Sequence, residues 1–372
     1  MKRSVYSGKP LVKSNSIPIK LLNQRSLIIF HSAIKSEQTK KNYDKLLRNF
    51  QKYYIIKDFD SLISMDSKKL QTMIEDYVMY LRSENKSHSL INGTLCSLNL
   101  FFSMNDITMN WKKMKKLLPE KKKTVGDNPY TTEQIREILK HTSNLKFKAI
   151  IHFLASSGVR VGSFVEMRVR DLEDHKDGCK SVKVYADSKD EYYTFIHQEA
   201  SQALEDYFEY RRKKGEKING DSWVFISTNP DKPMCTQTAT SSLSRFVTEA
   251  LDRKRTGVRF DNMTCHSFRK RFATVLKSNK EINLSISEKL LGHSTSIQLD
   301  NNYFKPTLEV MFDEYQKAIP DLAIDESIKL KLELEKKNQK LSSLESKDKR
   351  IEQLEDVISR LETNFNELKS RF

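Results

Sequence analysis

Residues 182–196 read V-K-V-Y-A-D-S-K-D-E-Y-Y-T-F-I, and in this stretch the chain changes its period. Val182, Val184 and Tyr185 make a strand, Ala186–Glu191 carries the polar residues of a turn, and Tyr192–Ile196 is rich in the aromatic and β-branched types that favour a returning strand. The pattern on either side is helical. Helices are expected over about 198–213 and, after a short strand at Trp223–Ile226, onward to about 318. The fold class is therefore mainly α with a small antiparallel β-sheet.

The same reading extends towards the N-terminus. Thr39, Tyr43, Leu46, Leu47 and Phe50 recur at spacings of three and four, with Lys40, Lys41, Lys45 and Arg48 between them. Further helices run near Ser67–Arg82 and Ser87–Phe102, and their apolar stripes are assigned to core rather than to chemistry. Trp111–Lys123 (WKKMKKLLPEKKK) is a densely basic connector, followed by the turn-forming residues of Thr124–Pro129. Thr131 or Thr132 caps the helix that follows. The expected domains are a flexible basic arm (1–20), a helical domain (21–118), a linker (119–129), a second helical domain carrying the hairpin (130–319) and a tail (320–372). In the tail, Ile351, Leu354, Ile358, Leu361, Phe365, Leu368 and Phe372 form a heptad seam. Leu330, Leu334, Leu341 and Leu344 continue it less regularly, with Lys337 at a seam position. A coiled coil is expected there.

Composition narrows the function. The 372 residues carry a net charge of +16. Residues 1–123 hold 24 Lys+Arg against 10 Asp+Glu, so +14 of the excess sits in the first third. A polyanion is the natural partner, because each neutralised phosphate releases counterions. No apolar run approaches the length of a membrane span, and the basic N-terminus lacks the apolar middle of a secretion signal. The four cysteines are widely spaced without a CxxC, which fits reduced thiols of a cytoplasmic protein and neither a metal site nor a disulfide framework.

Five segments offer chemistry, and each is weak alone. Gly158-Val159-Arg160 places a guanidinium after a tight turn. Lys189 sits in the hairpin turn. His266 and Arg269 share a face if Thr264 opens a helix. Gly292 can end a helix with φ above zero, leaving His293 just past the stop. Tyr303 lies among polar neighbours in D-N-N-Y-F-K-P.

In this order and spacing, the five resemble the signature of the tyrosine recombinase (phage integrase) family over residues 21–318. The resemblance implies a core-binding domain and a catalytic domain that clamp duplex DNA. It implies a nucleophile at Tyr303, giving a 3′-phosphotyrosyl intermediate, and phosphate stabilisation by Arg160, Arg269, His266 and His293. Lys189 is implied as the general acid, with Lys183 as the fallback because the hairpin lacks the usual Gly-Lys-Gly. No metal or cofactor is implied. The partners implied are double-stranded DNA and three further copies in a homo-tetramer on it, with a nucleoid-associated cytoplasmic location; the tail adds coiled-coil self-association. Phosphate contacts are expected from Lys40, Lys41, Lys45, Arg48, Lys112, Lys113, Lys115, Lys116, Lys121, Lys122 and Lys123. Two departures stand out: Ser163 occupies the place of the usual acidic residue, with Glu166 as a substitute, and ten residues rather than nine separate His293 from Tyr303. The competing readings are a non-catalytic DNA-binding or architectural protein and a type IB topoisomerase-like relaxing enzyme.

Overall fold

The computed structural model describes residues 24–121, 128–256, 259–262, 264–293 and 304–369. The N-terminal arm, Lys122, Lys123 and Tyr303 fall outside the described residues. The chain divides into two compact units, Met1–Thr124 and Val125–Phe372.

The first unit is helical: α1 (Arg25–Ser32), α2 (Glu37–Tyr53), α3 (Phe59–Ile63), α4 (Ser67–Ser83), α5 (His88–Met104) and α6 (Trp111–Lys116). Side-chain N-caps start most of them: Ser36, Asp58, Asp66, Ser87 and Asn110 each accept a hydrogen bond from a backbone N–H two or three residues on. Such a cap contributes about 1 kcal/mol. Leu47, Phe50, Ile74, Val78, Ile91, Leu98 and Phe101 interlock as the core. The WKKMKK segment is therefore not plain connector. It is α6, and Met114 is fully buried in this core.

The second unit begins with α7 (Thr132–Lys140), capped reciprocally by Thr131 and Gln134, and the buried α8 (Leu145–Ser157). A three-stranded antiparallel sheet follows, β1 (Leu172–Asp174), β2 (Lys180–Val184) and β3 (Tyr192–Ile196), with Val182 opposite Thr194 across the hairpin. β1 escapes sequence reading because three residues, L-E-D, give no period. The expected strand at Trp223–Ile226 does not form. Its residues make only isolated bridges, Arg168 to Trp223 and Ile226 to Pro233, while Val224 and Phe225 serve as core. Four apolar letters signal burial here, not a ladder. A second antiparallel pair, β4 (Arg255–Thr256) and β5 (Arg259–Phe260), was not legible in the sequence.

Next come α9 (Gln198–Lys213), α10 (Thr236–Ala250), α11 (Thr264–Ser278), α12 (Leu284–Leu290), α13 (Leu308–Gln316), α14 (Ile319–Leu322) and α15 (Glu326–Lys369). Ile319, Leu322, Ala323 and Ile324 are buried, so the core of this unit reaches Ile324 and the long helix starts beyond it. Three side chains fix that segment. Arg271 donates to the carbonyls of Asp321 (2.8 Å) and Leu322 (3.2 Å), Arg136 donates to that of Ile324 (2.7 Å), and the Glu199 carboxylate accepts the amides of Ile324 and Asp325 (2.9 and 3.0 Å). Among the described residues, no helix is long and apolar enough to cross a membrane.

Candidate active site

Helix α8 ends because Gly158 adopts φ +59°, a left-handed conformation that also lets the backbone pass the Phe272 ring. A Cβ there would lie 2.4 Å from that ring. The turn delivers Arg160, exposed, to the start of a short 3₁₀ segment (Val161–Val165). Helix α12 ends the same way one layer over. Gly292 has φ +58°, its backbone lies against the Tyr192 ring, and His293 follows. Two glycine stops thus carry the two loops, and α11 runs between them with Arg269 on its buried face.

Arg269 ties the two loops together. Its Nη1 donates to the Gly158 carbonyl at 2.7 Å, and its Nη2 donates to the Leu291 carbonyl. Arg160 Nη1 reaches the next carbonyl, Gly292, at 3.4 Å. Burial, and then the nearby Arg160 charge, lower the pKa of Arg269. Among the described residues neither guanidinium has a carboxylate within ion-pair distance. Arg160, His266 and Arg269 line one cleft of about 300 Å³, together with Val159, Gly162, Thr240, Thr264 and Cys265. A tetrahedral anion fits the chemistry of that lining.

Sequence reasoning missed several supporting residues. Glu288 Oε2 accepts a hydrogen bond from His293 Nδ1 at 2.7 Å, and Lys277 pairs with the other oxygen. Burial pushes the Glu288 carboxyl up, but the hydrogen bonds from Lys277 and His293 outweigh it and hold the group below the usual range. The signal available was a Glu five residues before the His of a Gly-His stop, visible only once the helix end is placed. Tyr192 and Tyr185 are also close to the arginines. Burial raises both hydroxyls while Arg160 and Arg269 oppose it. The Tyr192 hydroxyl is buried beside Arg269 without meeting hydrogen-bond geometry. Tyr315, by contrast, is fully buried and bonded to Ser156 at 2.8 Å, a core group.

The acidic substitute does not engage. Ser163 is buried with its hydroxyl on the Arg160 carbonyl (2.8 Å), and Glu166 is exposed. In the hairpin, Lys189 is exposed in the turn, whereas Lys183 on β2 is committed to Glu191 (3.3 Å) and Asp187 (3.8 Å). The hydrogen bond to Glu191 raises the Lys183 pKa.

The basic residues of the first unit divide likewise. Lys41, Lys45, Lys112, Lys115, Lys116 and Lys121 are exposed. Arg48 is paired with Asp44 (2.7 Å), Lys113 with Glu75 (2.8 Å) and Lys40 loosely with Glu37 (3.9 Å).

Comparison with known proteins bears on this arrangement. The phage integrase family model matches residues 129–309, which span both glycine stops and α11. The tyrosine recombinase XerC of Staphylococcus epidermidis is 21% identical over 268 residues, covering 67% of this chain and 85% of the relative. Among solved structures, the Tn1549 transposon integrase in complex with transposon right-end DNA aligns with a TM-score of 0.52 at 17% identity, over 78% of this chain and 98% of that one. A lambda integrase dimer bound to a core site gives 0.51 at 16% identity, over 76% and 97%. A helical chain that sets two arginines and two histidines beside glycine stops in this order is thus similar, across residues 129–309, to the tyrosine recombinase (phage integrase) family.

Proposed function

We propose that the protein is a site-specific DNA recombinase that cuts and rejoins duplex DNA through a 3′-phosphotyrosyl intermediate. The observation that carries this is the pair Arg160 and Arg269 in one cleft with His266, without compensating carboxylates among the described residues. Charge builds on the non-bridging oxygens of a phosphodiester as phosphorus becomes five-coordinate. Planar cationic donors held in advance lower that barrier. Arg160 and Arg269 supply the donors, and His266 and His293 complete the set. Tyr303 attacks phosphorus through its phenolic oxygen while the 5′-oxygen departs, and the ester conserves the bond for rejoining. Lys189 protonates the departing oxygen, since Lys183 is held by Glu191. No cofactor enters the scheme.

Double-stranded DNA is the partner, contacted by the lysines and Arg48 of the first unit and along the linker. Likeness to the family does not favour the non-catalytic architectural reading or the relaxing-enzyme reading. Strand exchange on two duplexes calls for four protomers on DNA, acting in the cytoplasm at the nucleoid, and helix α15 is a coiled-coil segment through which copies associate. The test is a nicked suicide DNA carrying the cognate site, resolved on a denaturing gel. A covalent adduct is expected from the natural chain and none from Tyr303→Phe. An adduct that survives Tyr303→Phe overturns the assignment.

A further inference from the structure

Helix α15 holds 44 residues and is about 66 Å long at 1.5 Å per residue. Among the described residues its apolar side chains are exposed. Ile351, Leu354, Ile358 and Leu361 are 52%, 55%, 54% and 61% exposed, in a molecule whose other leucines and isoleucines are mostly buried. An isolated helix with such a stripe is marginal in water and is stabilised by covering it.

We infer that this helix is one strand of a two-stranded, parallel coiled coil with a second copy of the chain, zipped from Ile351 towards the C-terminus. The inference rests on the coiled-coil reading above and adds stoichiometry, orientation and register. The steps between the four residues are three, four and three, so Ile351 and Ile358 occupy a positions, and Leu354 and Leu361 occupy d. Isoleucine at a with leucine at d is the combination that packs best as a parallel pair, because a layers then accept β-branched side chains side by side. Charge agrees with that orientation. Arg350 falls at g and Glu355 at e of the next heptad, the two positions that meet across a parallel interface, so Arg350 of each copy faces Glu355 of the other. Both are exposed and available.

The register also says where the zipper starts. Upstream, Leu334, Leu341 and Leu344 continue the stripe, but Lys337 interrupts it and Asp348 takes the seam position after Leu344. In a parallel pair each would meet its own like charge. From Asp348 the steps run three and three, a skip that breaks phase at Ile351. The uninterrupted seam therefore begins there.

The full-length protein in a Cys235→Ser background, without DNA, provides the test. Sedimentation velocity at micromolar concentration should give a dimer, and Leu354→Glu/Leu361→Glu should give a monomer with an unchanged melting transition of the globular units. Ile358→Cys should form an intermolecular disulfide on mild oxidation, as a residues meet only in a parallel pair. A monomeric natural chain overturns the coiled-coil reading itself. Trimers, or a disulfide found only when Ile358→Cys and Leu361→Cys chains are mixed, overturn the parallel pair and leave the coiled coil standing. None of these outcomes touches the recombinase reading, which the adduct assay decides.

Discussion

The Glu288 carboxylate holds Nδ1 of His293 at 2.7 Å, which fixes the imidazole with its Nε2 as the nitrogen left for a substrate. The histidine follows a glycine stop, where a loop would otherwise let the ring turn freely. Glu288→Ala should slow adduct formation about tenfold, roughly the 1.4 kcal/mol of one lost charge-assisted hydrogen bond. Glu288→Gln, which keeps an acceptor, should cost less. Single-turnover cleavage of the suicide DNA is the measurement, and equal losses for both variants would show that the carboxylate does more than orient.

Gly158→Ala should destabilise the second unit by about 2–4 kcal/mol, from the left-handed φ and from overpacking against Phe272. Thermal unfolding reports the loss. Phe272→Ala combined with it should cost less than the two changes added together, since the second removes the clash created by the first.

Arg269→Lys should fail more completely than charge counting suggests. An ammonium on a flexible stem cannot bridge the Gly158 and Leu291 carbonyls while also facing the cleft. We expect cleavage to fall by at least about a hundredfold with DNA affinity within a few-fold of the natural chain, measured by adduct rate and by gel shift.

Acid should weaken the second unit before most of its carboxylates titrate. His197 is fully enclosed, and burial, then His152 and Arg271, lowers its pKa to about 3; burial, then Lys148, lowers that of His152 to about 4. Unfolded histidine binds its proton near pH 6.5. The stability gained from keeping these rings neutral is therefore complete above pH 6.5 and is lost as pH falls towards 4, by roughly 3 kcal/mol per ring. Glu199, raised by burial, works in the opposite sense over part of this range. The urea midpoint of His197→Phe should consequently show a shallower slope between pH 6.5 and 4 than that of the natural chain.

Much of this architecture was legible because it rests on local physics. The 3.6-residue stripes of α2, α4 and α5 and the alternation through Val182–Val184 follow from which side chains must leave water. Gly158 and Gly292 were readable as stops because few other residues take positive φ cheaply. What stayed hidden depends on distant partners. The helical character of Trp111–Lys116 is fixed by Met114 reaching a core made elsewhere, and β1 exists only because β2 presents a free edge to L-E-D. The Arg269 tethers likewise link segments whose meeting no spacing reveals, while the Glu288–His293 bond is local and hidden only until the end of α12 is placed. Trp223–Ile226 shows the converse error, a buried run with the letters of a strand and none of its ladder.

Two neighbouring cations that, among the described residues, lack an acidic counterweight make the cleft a trap for small oxyanions. Sulfate or phosphate in a buffer would occupy it as a stand-in for the scissile group, steadying the fold while slowing the enzyme. Melting temperature and turnover should then move in opposite directions as such salts are added at constant ionic strength, and Arg160→Ala should uncouple them.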